Sequence, residues 1–466
     1  MTVVVGVVLG LAASEGARGG GTPGGVPTST PGADNGSTSS GQTPSSATAG
    51  RAASLTVSPP PPPAGVIGAE IAAPMPPAVN ANRVAAALSA VPTGAGGDYR
   101  SAVIDLATSQ TVWSSGGEVP VIAASATKLM TTLAVLDKLG PDATFATTVQ
   151  PGAPGQIVLV GGGDPLLIST ATSYPYPYPH PASLADLASA TAAVLRTQGT
   201  SSVSLGFDDS LFTGPTVHPD WHPGDLEYVA RVDALMVDEA SGGAAGPDPA
   251  MAATQVFANL LRAQGIEVTG SPVRASAAKG RAPLARITSL PLSELAQQAL
   301  LHSDNTVAEV LFRQLALASD QPASFEGGAA ALTTALTSLG LWRPGMVVSD
   351  GSGLSTTGRM TAQVLASAVE LAASRADLRS LLAGLPVAGG SGTLADRFGT
   401  PGAQAGRGLV RAKTGTLDGV AALAGYVPTR DGGLLAFAIV GNNVTGPAPT
   451  YLDDWSSALA GCACVG

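Results

Sequence analysis

Metal ligands are scarce in this chain of 466 residues, which has two cysteines and four histidines. His180, His218, His222 and His302 form no H-E-x-x-H string, and there is no C-x-x-C, so neither metal nor cofactor is expected. His218 and His222 are four apart, but Pro219 and Pro223 forbid a regular helix and make them loop residues. Cys462 and Cys464 stand two positions apart, a spacing that rarely gives an unstrained disulfide, and no catalytic part is expected of them. Charge is sparse too: Asp, Glu, Lys and Arg make up 12% of the chain, the net charge is −10, and no basic run occurs. That balance argues against a nucleic-acid partner. Aromatics are 4% against 45% hydrophobic residues, so alanine and valine carry much of the core. The apolar run Val3 to Ala13 is too short to span a bilayer, which takes about 20 residues.

Against these absences stand three short strings, Ser125-Ala-Thr-Lys128, Ser303-Asp-Asn305 and Lys413-Thr-Gly415. Ser125 and Lys128 are one helical turn apart, so one face can hold the amine beside the hydroxyl, a nucleophile with its base. Apolar residues follow at Leu129, Leu133 and Leu136, with Gly140 and Pro141 as stop signals. Ser125 is therefore expected near a helix N-terminus, where the backbone dipole favours negative charge. Ser303 to Asn305 fall between the helical patterns Leu290 to Leu301 and Val307 to Leu311, which predicts a junction. Lys413 lies in Leu409 to Leu417, read as a strand, and Gly419 to Val427 and Leu434 to Val440 are predicted to form a hairpin around Thr429 to Gly433. Singly, each string fits a helix cap or a solvated turn. All three, in order and on suitable elements, point instead to one site.

The trio resembles the S-x-x-K, S-D-N and K-T-G set of penicillin-binding proteins and class A β-lactamases. The domain-sized stretch between the first two strings is similar to that of the D-alanyl-D-alanine carboxypeptidase/endopeptidase family of the penicillin-binding protein 4 type, class C low-molecular-mass penicillin-binding proteins of peptidase family S13. Val160-Gly-Gly-Gly-Asp-Pro165, Asp233-Ala-Leu-Met236, Ser349 to Ser355, Gly415-Thr-Leu417 and Gly425-Tyr-Val427 also look like that family, and the likeness runs from about residue 68 to 460. One departure follows Ser355: relatives often carry arginine there, whereas this chain has Thr356, with Arg359 three residues on.

The resemblance implies a serine D-Ala-D-Ala carboxypeptidase, or D,D-endopeptidase, working on peptidoglycan stem peptides through an acyl-enzyme that penicillins also form. Ser125 would be the nucleophile and Lys128 its base, with Ser303, Asn305 and Lys413 completing the catalytic group. The N–H groups of Ser125 and Thr416 would form the oxyanion hole; Asn305, Lys413, Thr414, Gly415 and Thr416 would bind substrate. Alternative readings are a serine β-lactamase or a non-catalytic cell-wall scaffold. The E-x-x-L-N string that supplies the class A water-activating glutamate is absent. The expected partners are peptidoglycan peptides and β-lactams; oligomeric state is left open.

The expected fold class is mixed α+β: a penicillin-binding/β-lactamase-like antiparallel sheet flanked by helices and split by a large α+β insert. Residues 1–67 read as a secretion-signal or membrane-anchor remnant followed by a Gly/Ser/Thr/Pro tether. Residues 68–140 and 290–466 are expected to form the two parts of the catalytic domain, around an insert at 141–289. Short strands are predicted at Phe145 to Val149, Gln156 to Val160 and Ser202 to Phe207, with helices at Ala182 to Arg196 and Pro249 to Ala263. The tail suits an exported enzyme of the cell envelope, with membrane tethering through the N-terminus as one form of that reading. Tyr174 to Pro179 reads as an extended loop.

Overall fold

Side chains alternating along the C-terminal strands build the first sheet and assign its two faces. The structure, a computed structural model, describes residues 75–92, 96–170, 180–241, 246–278 and 280–466. The N-terminal tail and the Tyr174 to Pro179 loop lie outside the described residues. The first sheet contains β1 (Gly96–Asp105), β2 (Gln110–Ser115), β8 (Arg411–Leu417), β9 (Val420–Pro428) and β10 (Leu434–Thr445), in the order β2-β1-β10-β9-β8. All its pairings are antiparallel. Ala102, Ile104, Ala422, Ala424, Ala436, Ala438 and Val440 share one core with helices α2 (Lys128–Leu139), α5 (Leu292–Leu301), α6 (Asn305–Ala318) and α8 (Ala362–Ser374). Val103, Leu423, Leu435, Phe437 and Ile439 form the opposite core with α1 (Ala81–Ser89) and α10 (Ala448–Gly461). The sheet is thus an antiparallel layer between helices, fed by a period of two along each strand. Alanine dominates the α2 and α8 side, which lets those helices lie close.

The second sheet joins β3 (Ala146–Pro151), β4 (Gln156–Val160), β5 (Ser202–Asp208), β6 (Glu267–Arg274) and β7 (Ala285–Thr288) in the order β6-β5-β4-β3-β7. Its β4-β5 and β5-β6 pairs are parallel, and β3 runs antiparallel to both neighbours. Helices α3 (Leu184–Thr197) and α4 (Pro249–Ala263) cover it through Leu187, Leu195, Phe257 and Leu261. Asp248 caps α4 by accepting from Met251 N, with Pro249 in the first turn and Gly265 left-handed beyond its end. Strands β6 and β7 go beyond the sequence expectation. Gly270 and Pro272 interrupt the alternation of β6, and β7 is four residues long, so neither carries a strong strand pattern. Helix α7 (Phe325–Ser338) starts directly after Ser324, which caps it by accepting from Gly327 N, and the short α9 (Arg379–Ala383) comes before β8.

The cysteines correct the expectation from their spacing. Cys462 and Cys464 are paired in a disulfide with Cα atoms 5.2 Å apart, within the usual range. The extended backbone after α10 allows it, since residues two apart in an extended chain leave on the same side.

Gly425 decides how closely β8 approaches β9. A Cβ there would run into the Arg411 carbonyl oxygen and the Ala412 Cα of the paired strand. Gly425→Ala is therefore expected to destabilise the fold by about 1–3 kcal/mol, read as a lower thermal midpoint, and to weaken any chemistry that depends on β8. An unchanged midpoint would show that the strands have slack the packing denies.

Candidate active site

Ser125 sits in the 3₁₀ turn Ala124–Thr127, which runs directly into α2. Ala124 has a left-handed φ of 48°. Two glycines let other segments close on this turn. A Cβ on Gly353 would collide with the Ala124 carbonyl, and one on Gly415 would press on the Ala123 carbonyl and the Ala126 nitrogen. Gly353 also has φ 77°, so any side chain there is strained as well as obstructed.

One turn after Ser125, the Lys128 ammonium is fully buried. Its Nζ donates to Ser125 Oγ at 2.8 Å, Asn305 Oδ1 at 2.6 Å and the Ser352 carbonyl at 2.9 Å. Three N–H bonds thus meet three acceptors. Burial lowers its pKa to about 8, against the opposing pull of the Glu309, Asp350 and Asp304 carboxylates. Desolvation does the lowering, since the charges that act on Lys128 are carboxylates and pull the other way.

Ser303 lies between α5 and α6 with φ 58°, a left-handed serine that turns the chain at the predicted junction. Asp304 next to it caps α6 by accepting from Val307 N at 2.9 Å. Lys413, interior to β8 and wholly buried, donates to Ser303 Oγ at 2.8 Å and to the Thr414 carbonyl at 2.7 Å. Burial, with the Lys128 charge added, holds its pKa well below the ordinary lysine value. Ser125, Ser303, Thr414 and Thr416 line one cavity of about 320 Å³, together with Thr393 and Arg397. The three strings therefore reach one place: Lys128 ties the first to Asn305 of the second, and Lys413 ties the third to Ser303. A larger cavity of about 470 Å³, bordered by Ile168, Tyr228, Glu239 and Thr306, has no hydroxyl and amine side by side. The smaller cavity is the one whose wall hydroxyls, Ser125 and Ser303, each accept from a buried lysine.

Asn305 has both ends of its amide engaged. Its Oδ1 accepts from Lys128 and its Nδ2 donates to the Tyr228 carbonyl at 2.9 Å. Several contributors escaped the sequence reading. Glu309 on α6 is buried and accepts from Gly351 N at 3.1 Å and Ser352 N at 2.7 Å, which presents the Ser352 carbonyl to Lys128. Burial and the Asp350 charge raise its pKa to about 8. Asp350 holds the other end of the loop through Gly353 N and Ser355 N and accepts from Trp221 Nε1. Ser349 to Ser355 had been singled out as a family-like string, but nothing in its residue types assigned it to Lys128. Arg359 does not supply the missing arginine after Ser355, since its Nη1 donates to the Thr356 and Gly358 carbonyls of its own loop.

The family model described as the D-Ala-D-Ala carboxypeptidase 3 (S13) family matches residues 81–245 and 239–459. A carboxypeptidase DacB of Mycolicibacterium smegmatis is 36% identical over 429 residues, spanning 88% of this chain and 90% of that protein. A D-alanyl-D-alanine carboxypeptidase of an Actinomadura species is 30% identical over 449 residues, spanning 76% and 79%. The crystal structure of penicillin binding protein 4 from Haemophilus influenzae superposes with a TM-score of 0.65 at 22% identity, covering 80% of this chain and 98% of that one. That likeness concerns the fold: a helix-flanked antiparallel sheet joined to a second sheet. With the likeness to the Mycolicibacterium protein extending over nearly the whole of both chains, the protein belongs to the D-Ala-D-Ala carboxypeptidase 3 (S13) family.

Proposed function

We propose that this chain is an exported serine-type D-Ala-D-Ala carboxypeptidase, with D,D-endopeptidase action on cross-linked stems by the same chemistry, and that penicillins acylate it at Ser125. The observation that carries this is the set of acceptors around Lys128. A charged ammonium fills all three. When it loses a proton, Asn305 Oδ1 and the Ser352 carbonyl can only accept, so the two remaining N–H bonds stay with them. The lone pair is left facing Ser125, the one partner with a proton to give. A pKa of about 8 keeps a working fraction of this neutral form near physiological pH.

Ser125 Oγ then attacks the carbonyl carbon of the penultimate D-alanine while its proton passes to Lys128. The N–H groups of Ser125 and Thr416 take the oxyanion, a duty worth roughly 10²- to 10³-fold per donor. As the C–N bond breaks, Ser303, held by Lys413, gives its hydroxyl proton to the departing amine and takes in its place the one that Lys128 had drawn from Ser125, so that Lys128 is neutral again and the acyl group stays on Ser125. Water cleaves that ester and restores the hydroxyl. Asn305 holds Lys128, Thr414 and Gly415 lie along the β8 edge where an extended peptide adds a strand, and Lys413 fixes Ser303.

The test supplies the chain from residue 68 with a pentapeptide ending in D-Ala-D-Ala and, separately, with a cross-linked dimer, and reads the products by mass. Loss of one alanine from the pentapeptide is the expected result, with resolved dimer marking the endopeptidase action. Intact substrates in both arms, or rapid turnover of nitrocefin in place of a lasting acyl-enzyme, would refute the reading.

A further inference from the structure

We propose that Arg397 is a specificity-determining residue of this site, the cation that receives the C-terminal carboxylate of the peptide. The inference rests on the carboxypeptidase reading and deepens it. A D-alanine terminus brings a full negative charge past the bond to be cut, so the cavity must offer that charge a partner. Lys413, which the resemblance places among the substrate-binding residues, is badly suited to meet that charge. It is wholly buried, its hydrogens are directed to Ser303 and the Thr414 carbonyl, and its proton is weakly held.

Arg397 is the one charged side chain among the described residues that line the cavity. A guanidinium keeps its charge at every working pH and presents a flat fork that matches a carboxylate. Here the fork is fixed from behind. Its Nη2 donates to Asp453 Oδ1 at 2.6 Å and to the Pro449 carbonyl at 2.9 Å, and its Nε to Asp453 Oδ2 at 3.3 Å. Nη1 donates to no acceptor among the described residues, and the side chain keeps 20% of its surface exposed. Asp453 is also held by Phe398 N at 3.2 Å, so the anchor does not swing with its partner. Beside the arginine, the Thr393 and Thr414 hydroxyls are 2.8 Å apart. These residues give the cavity a fixed cation with unused N–H groups next to hydroxyl donors, the donor set that a carboxylate requires and an amide does not.

The experiment compares two pentapeptides that differ only at the C-terminus, one with a free carboxylate and one amidated, on wild type, Arg397→Lys, Arg397→Met and the double variant Arg397→Met/Asp453→Asn. The double variant removes the anchor's charge together with its partner's, so a folding loss in Arg397→Met does not decide the outcome; each variant's thermal midpoint is recorded alongside. The expected result is that kcat/KM for the carboxylate peptide falls at least about tenfold more than for the amide, mostly through KM, with Arg397→Lys intermediate. Equal losses on the two peptides, or no loss on either, would overturn the inference and leave the carboxypeptidase reading standing. Failure of wild type to cleave either peptide would overturn both.

Discussion

Ser125→Ala is expected to abolish covalent labelling by a fluorescent penicillin and to lower D-alanine release by roughly 10⁴-fold or more, the scale on which removing a serine nucleophile acts. The change deletes one oxygen from a turn whose backbone is set by Ala124 and by the close approach of Gly353 and Gly415. Lys128 keeps two of its three acceptors, Asn305 Oδ1 and the Ser352 carbonyl, so the buried amine is not stranded. The thermal midpoint should therefore move little while chemistry disappears. Full labelling of the alanine variant would mean that another residue takes the acyl group.

The second large effect concerns the base. Because burial puts the pKa of Lys128 at about 8, acylation should rise by about tenfold per pH unit below that value and level off above it. The sign follows from the role: the neutral amine accepts the proton, so activity is lost as pH falls and the amine is charged. Lys128→Met fills similar volume with neither base nor charge, and the loss expected is roughly 10²- to 10⁴-fold in the acylation rate constant. Any residual rate should lack the limb near pH 8. A limb that survives in the methionine variant would belong to some other group and would remove Lys128 from the role.

Much of this site was legible in the chain because its parts use local rules. Ser125 and Lys128 are one turn apart at the head of an apolar helical face, and that spacing needs no tertiary information to place an amine beside a hydroxyl. Ser303 falls at a junction announced by two helical patterns, with Asp304 as the cap of the second. Lys413 lies in the strand before a hairpin, and β8, β9 and β10 take the positions their apolar runs suggested. What the sequence could not reveal depends on distant contacts. Glu309 looks like an ordinary interior position of α6 until the loop at Gly351 and Ser352 is seen resting on its carboxylate. Tyr228 enters through a backbone carbonyl, which has no residue signature. Arg397 lines the cavity with Asp453 of α10 behind it, a pairing between segments 56 residues apart. The sheet containing β6 and β7 shows the same limit, since strands broken by glycine and proline or four residues long pair through the register of their neighbours rather than through their own pattern.

Glu309 also places a second buried carboxyl within the electrostatic reach of Lys128, its pKa raised to about 8 by burial while Asp350 adds to the rise. A charged Glu309 helps Lys128 keep its proton and a neutral one does not, so the limb read in an acylation profile reports the carboxyl as well as the amine. That coupling is why the methionine variant, and not the wild-type profile by itself, assigns the proton.

The most direct measurement is to treat the chain with a penicillin, digest the trapped adduct and map the added mass. The account predicts one penicillin per chain, on the peptide containing Ser125, and its disappearance when hydroxylamine cleaves the ester. Mass on a peptide without Ser125, or no adduct at concentrations that saturate the site, would contradict the claim that three distant strings meet to make one acylating serine.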